Sequence, residues 1–166
     1  MNGSRYNGVC PASDEPGLRI GYNEGLATFC TKDSGFAAGS DARECQEICP
    51  IEMQQEVLHG YVAGLDAAVP GLDSHISRLT TEVAQAESRL GDLGARVQSL
   101  QSLRSAAKRE GNEASVEFYD QQLSPLNAQR FSVESDLRSS EGALAASLQR
   151  RRAIGGWALK WRASLL

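Results

Sequence analysis

A heptad pattern of apolar residues spans the second half of this 166-residue chain and limits what it can fold into. Two runs of apolar side chains, each spaced to fall on one face of a helix, flank the polar segment 109–113, which is typical of a turn. The first run contains Leu72, Ile76, Leu79, Val83, Ala86, Leu90, Leu93, Val97 and Leu100, and the second contains Val116, Tyr119, Leu123, Leu126, Val133, Leu137 and Leu144. Two arms of matched length predict an antiparallel coiled-coil hairpin over residues 72–150.

The apolar seam of this hairpin is interrupted by residues that pack poorly or disturb the helix. Gly91 and Gly94 weaken the first arm, Arg130 interrupts the second, and Pro125 is expected to kink it. A seam of this kind rarely stays uncovered, so we expect a third or fourth helix from a homo-oligomer or a protein partner. We interpret the seam as a structural element and not as a cofactor site.

All four cysteines, Cys10, Cys30, Cys45 and Cys49, lie in the first third of the chain. Two disulfides, a zinc site and unpaired thiols are all compatible with this clustering, although only Cys45 and Cys49 have knuckle-like spacing. Disulfides would indicate an oxidising compartment. The start of the chain has neither the basic nor the apolar region of a signal peptide, so export would require a leader ahead of Met1, and a cytosolic location stays open.

A duplicated motif occupies residues 9–65. At an offset of 39 residues, Cys10-Pro11 aligns with Cys49-Pro50, and Gly21-Tyr22-x₂-Gly25-Leu26 aligns with Gly60-Tyr61-x₂-Gly64-Leu65. Proline directly after cysteine suits the first turn of a helix. Glycines four residues apart share one helix face, and a close approach by another helix would offset their cost of about 1 kcal/mol each.

The motif therefore predicts helix packing through Gly21, Tyr22, Gly25, Gly60, Tyr61 and Gly64. Gly35 and Gly39 repeat the spacing between the two copies, and Thr31, Asp33 and Ser34 are turn or N-cap residues. We expect a small domain of short helices over residues 1–68, stapled by cysteines, that ends where Val69-Pro70-Gly71 interrupts the helix.

These motifs resemble the domain-of-unknown-function family 2799, small bacterial envelope proteins usually described as lipoproteins. The resemblance rests on Gly21-Tyr22-x₂-Gly25-Leu26-x₂-Phe29-Cys30, Ser34-Gly35-Phe36-x₂-Gly39 and Cys49-Pro50, and covers residues 3–65 closely. It implies export and disulfides without indicating an activity. By this resemblance Cys30 and Cys49 are the favoured pair, and Cys10 with Cys45 is the remaining possibility.

The C-terminal segment 151–166 begins within a basic cluster, Arg150-Arg151-Arg152, and contains a Gly155-Gly156 pair that predicts a hinge. Segment 150–166 holds five basic and no acidic residues, whereas the whole chain has a net charge of −4. As a helix, the tail would place Trp157, Trp161 and Leu165 on one face. This face fits packing on the protein itself, a partner groove, or peripheral membrane contact.

Composition excludes several classes of protein. The chain has no apolar run long enough to cross a membrane, is too apolar for full disorder, and its acidity argues against nucleic acid as a partner. No catalytic, cofactor or metal motif stands out. We therefore expect an all-α, non-enzymatic periplasmic protein with a structural or adaptor role. The alternatives are a cytosolic binding subunit that docks through the coiled coil and tail, and a small redox protein using Cys45 and Cys49.

Overall fold

The computed structural model describes residues 15–45 and 49–165, which form helices and no strands. The helices are α1 (Glu15–Phe29), α2 (Lys32–Ser40), α3 (Ile51–Arg109) and α4 (Glu113–Ala163). They divide into two compact units. The N-terminal unit combines residues 1–73 with 149–166, and the hairpin unit comprises residues 74–148. The all-α prediction is confirmed.

The helix starts follow from local sequence. Thr31 caps α2, because its hydroxyl accepts a hydrogen bond from the Ser34 N–H at 3.2 Å, and the Thr31 N–H donates to the Ser34 hydroxyl at 3.2 Å. Pro50 directly precedes α3, and its carbonyl accepts from the backbone of Met53 at 2.9 Å. Proline is tolerated at such a start because its missing N–H would have no partner within the helix.

The hairpin unit has the predicted arrangement of two long helices joined by a short turn. Its turn contains Gly111 with a φ of 70°, in the left-handed region that glycine enters without steric cost. The Asn112 side chain accepts from the Ser115 N–H at 3.1 Å and so caps α4. Every predicted seam residue is buried or half-buried. The buried centre of this unit consists of Leu93, Val97, Leu123 and Leu126.

Two predicted interruptions of the helices are wrong. Helix α3 continues through Pro70 and Gly71, and α4 continues through Gly155 and Gly156. A proline inside a helix costs about 3 kcal/mol and a glycine about 1 kcal/mol. In this protein apolar residues on both sides of each site pack into one core, and that burial outweighs the local preference. Helix α4 also continues through Pro125.

The core of the N-terminal unit joins the first turns of α3 to the last turns of α4. The buried members are Leu58, Tyr61, Val62, Leu65, Ile154, Ala158 and Trp161. Residues from the end of α2 and the following turn, such as Ala38 and Ala42, pack against this cluster. The segment that was predicted as a separate tail, 151–166, thus supplies part of the core.

Candidate functional site

A disulfide joins Cys30 to Cys49, with their Cα atoms 5.7 Å apart. Cys30 directly precedes the cap of α2, and Cys49 precedes Pro50 at the start of α3. The bond therefore ties together the N-terminal ends of two helices. This is the pair that the family resemblance implied. Cys10 lies outside the described residues, so its pairing with Cys45 stays a prediction.

Helices α2 and α3 cross at the glycine pairs predicted for close packing. A Cβ atom on Gly60 would overlap the carbonyl oxygen of Lys32, and one on Gly64 would overlap that of Phe36. The same holds in reverse, because a Cβ on Gly35 or Gly39 would overlap backbone atoms of α3. Both helices thus use glycine pairs to bring their backbones into contact.

The first copy of the motif does not make the predicted contact. Gly21 and Gly25 have no atom from another part of the described chain within 4 Å of an added Cβ, and Tyr22 is 52% exposed. The physical reason is that the glycine pair of α2 is already occupied by Gly60 and Gly64. Within the described chain, helix packing through Gly21, Tyr22 and Gly25 is therefore a wrong prediction.

Tyr61 lies at the centre of the N-terminal unit and is fully buried. Its hydroxyl donates a hydrogen bond to the backbone carbonyl of Arg43 at 2.8 Å, which fixes the segment that follows α2. Burial raises the pKa of Tyr61 to about 12, because a phenolate is poorly solvated inside the protein, and the nearby Cys45 adds to the rise. Tyr61 is a neutral core residue at physiological pH.

The apolar face of the C-terminal segment packs on its own unit. Ile154 is 1% exposed and Trp161 is 6% exposed, whereas Leu159 on the opposite side of α4 is 71% exposed. Trp157 and Leu165 are half-buried against the same core. Of the three uses that the sequence left open for this face, the structure shows packing on the protein itself.

Charged residues reinforce this packing. Arg162 contacts the carboxylate of Asp66 at 2.6 Å, and Arg151 contacts that of Asp73 at 2.7 Å. Arg150 donates a hydrogen bond to the backbone carbonyl of Asp41 at 2.6 Å. The basic cluster that suggested a membrane or partner surface therefore makes contacts inside the N-terminal unit. The opposite charge of the tail was a signal for this arrangement.

The described residues contain no cluster of three or more histidine, cysteine or acidic side chains that could hold a metal ion. No described helix is long and apolar enough to cross a membrane. A cavity of about 400 Å³ is lined by Cys45, Cys49, Leu58 and Trp161, among others. Since Cys49 is bonded to Cys30, Cys45 and Cys49 do not form the redox pair considered from their spacing.

Comparison with known proteins gives one positive result. Residues 13–66 match the model of a family described as "Protein of unknown function (DUF2799)". These residues include Cys30, Cys49 and both copies of the Gly-Tyr-x₂-Gly motif. No curated protein and no solved structure matches the chain. Over residues 13–66 this protein is therefore similar to the DUF2799 family of proteins of unknown function.

Proposed function

We propose that this protein is a non-enzymatic, exported component of the bacterial envelope that acts through protein–protein contacts made by its hairpin unit. The observation that carries the proposal is the incomplete burial of the hairpin seam. Most predicted seam residues, among them Val83, Leu90 and Leu137, are only half-buried. The reason is that each helix of a pair covers only one side of the apolar face of the other. A further helix would cover them.

Exposed apolar residues support the same proposal. Phe118 and Phe131 on α4 and Leu103 on α3 each leave about half or more of their surface in water. Large aromatic side chains are enriched in the centres of protein interfaces. A homo-oligomer or a different protein would each provide the missing cover.

The Cys30–Cys49 disulfide supports the location. Disulfides persist in the periplasm and are rare in the cytosol, where thiols are kept reduced. The bond also ties together α2 and α3, whose glycine crossing leaves little side-chain surface to bury. These points support an envelope location.

The proposal is tested by placing a photo-crosslinking amino acid at Leu103 or Phe131 in the full chain within native cells. We expect a covalent product of defined mass at these hairpin positions, either twice the mass of the chain or a distinct heteromeric product. Leu159, which is 71% exposed against 68% for Phe131 but lies on the N-terminal unit, is the matched control. Crosslinking at Leu159 alone, or at none of the three positions, would contradict the proposal.

A further inference from the structure

A groove of about 360 Å³ runs between α3 and α4 in the hairpin unit. Its apolar floor is formed by the buried Leu93 and the half-buried Val133. The charged residues that line it all belong to α3, and we call them the groove rim: Arg89, Asp92 and Arg96. The groove rim therefore presents positive, negative and positive charge in order along the helix.

Helix α4 carries the opposite order of charges. Glu134, Arg138 and Glu141, which we call the α4 charge series, present negative, positive and negative charge. Going back along α4 from Glu141, the next two charges follow after three and then four residues. The groove rim has the same spacing going forward from Arg89. Antiparallel packing of the two surfaces would therefore bring three pairs of opposite charge together.

Within one chain, the α4 charge series faces away from the groove. Gln129 and Ser132 of α4 line the groove, and Arg138 and Glu141 follow them in turn at a distance of nine residues. Nine residues are about two and a half turns of an α-helix, so these two charges lie on the opposite side of α4. The series of one chain can meet the groove rim of another copy but not its own.

An exposed aromatic residue lies on the same side of α4 as these charges. Phe131 is 68% exposed and precedes Arg138 by seven residues, so the two share one face of the helix. In the antiparallel register set by the charges, Phe131 of a second copy lies opposite Ser99, one turn from Leu103, which is 48% exposed. The contact would thus cover two exposed side chains that support the proposed function.

We propose that the groove of one copy binds α4 of a second copy, with the groove rim against the α4 charge series and the two helices antiparallel. The inference rests on the proposed function, since it names the partner of the hairpin unit. The two surfaces lie on different sides of α4, so each copy offers one of each. Contacts of this kind join copies head to tail and not as a symmetric pair.

Sedimentation of the full, oxidised chain tests the proposal. At low salt we expect the average mass to rise with protein concentration past that of two chains, because head-to-tail contacts leave one surface open at each end. The average mass should fall in about 1 M salt, where charges on exposed surfaces are screened. A chain that stays monomeric at low salt would overturn the inference.

Two variants reverse the charges of one surface each. Arg89→Glu/Arg96→Glu makes the groove rim wholly acidic, and Glu134→Lys/Glu141→Lys makes the α4 charge series wholly basic. Each variant alone should associate at least about tenfold more weakly than the wild type, because like charges then face each other. An equimolar mixture should associate as the wild type does, since every surface in it finds one of opposite charge.

Lys108→Glu/Arg109→Glu is the matched control. These exposed residues at the end of α3 do not line the groove, and the net charge changes by as much as in the groove-rim variant. The control should associate as the wild type does. Equal weakening in the control, or a mixture that associates no better than its two components, would also overturn the inference. A heteromeric crosslink at Leu103 or Phe131 in native cells would then still support the proposed function, so the two failures are distinguishable.

Discussion

At the residue scale, the same motif has two different environments. A Cβ atom on Gly60 would overlap the backbone of α2, whereas one on Gly21 would meet no atom of another part of the described chain within 4 Å. The motif therefore permits a close helix crossing without requiring one. A close crossing also needs a glycine pair on the opposite helix. Helix α2 has one such pair, Gly35 and Gly39, which faces α3.

Gly60→Ala should lower the free energy of unfolding by more than about 2 kcal/mol, because backbone atoms have to separate to admit the methyl group. Gly21→Ala, the matched control, should raise it by up to about 1 kcal/mol, since alanine favours an exposed helix. Urea unfolding followed by the fluorescence of the core tryptophans, Trp157 and Trp161, measures both. Equal effects of the two substitutions would argue against the crossing of α2 and α3.

Tyr61 should make stability fall at alkaline pH. Its pKa is about 12 in the folded protein and about 10 when unfolded, so the unfolded state loses its proton first as pH rises. The contribution is intact below pH 10 and is lost between about pH 10 and 12, amounting to on the order of 2 kcal/mol. The difference between the unfolding free energies of the wild type and Tyr61→Phe, measured against pH, should show this step. A difference that stays constant over this pH range would argue against the burial of Tyr61.

At the scale of elements, local patterns predicted the helices well and their ends less well. The heptad seam and the polar turn near Gly111 placed both arms of the hairpin. The breaks expected at Pro70 and at Gly155 did not occur, because the residues that outweigh them come from opposite ends of the chain. Contacts such as Arg162 with Asp66, 96 residues apart, leave no periodic signal in either segment.

The packing of the C-terminal end of α4 predicts a contrast between two of its residues. Ile154→Ala should cost about 2 to 5 kcal/mol, because it leaves a cavity among buried side chains. Leu159→Ala, on the exposed side of the same helix, should change stability by less than about 0.5 kcal/mol. Thermal unfolding followed by circular dichroism compares them. Similar effects at both positions would mean that the segment does not pack as described.

The disulfide between the starts of α2 and α3 should also contribute to stability. It closes a loop with a sequence separation of 19, for which the loss of chain entropy in the unfolded state corresponds to about 3 kcal/mol. Reductant should therefore lower the urea midpoint of the wild type. The same reductant should leave Cys30→Ser/Cys49→Ser unchanged. An unaltered wild-type midpoint would argue against the bond.

At the scale of the whole molecule, the chain combines a disulfide-linked N-terminal unit with a two-helix unit whose seam is partly open. The C-terminal segment belongs to the first of these units, so its Ile154 and Trp161 stabilise the fold and are not available to a partner. The hairpin unit keeps large apolar side chains, such as Phe118 and Phe131, exposed at its surface. This division of roles underlies the proposal of an exported protein that acts by contact.

Peptide mapping shows whether the Cys30–Cys49 bond exists in the cell. Protein from native cells is alkylated without reduction, digested and analysed by mass spectrometry. We expect a crosslinked peptide pair containing Cys30 and Cys49, with neither residue alkylated. Alkylation of both would contradict export and move the protein to a reducing compartment, where it would act as a cytosolic binding subunit.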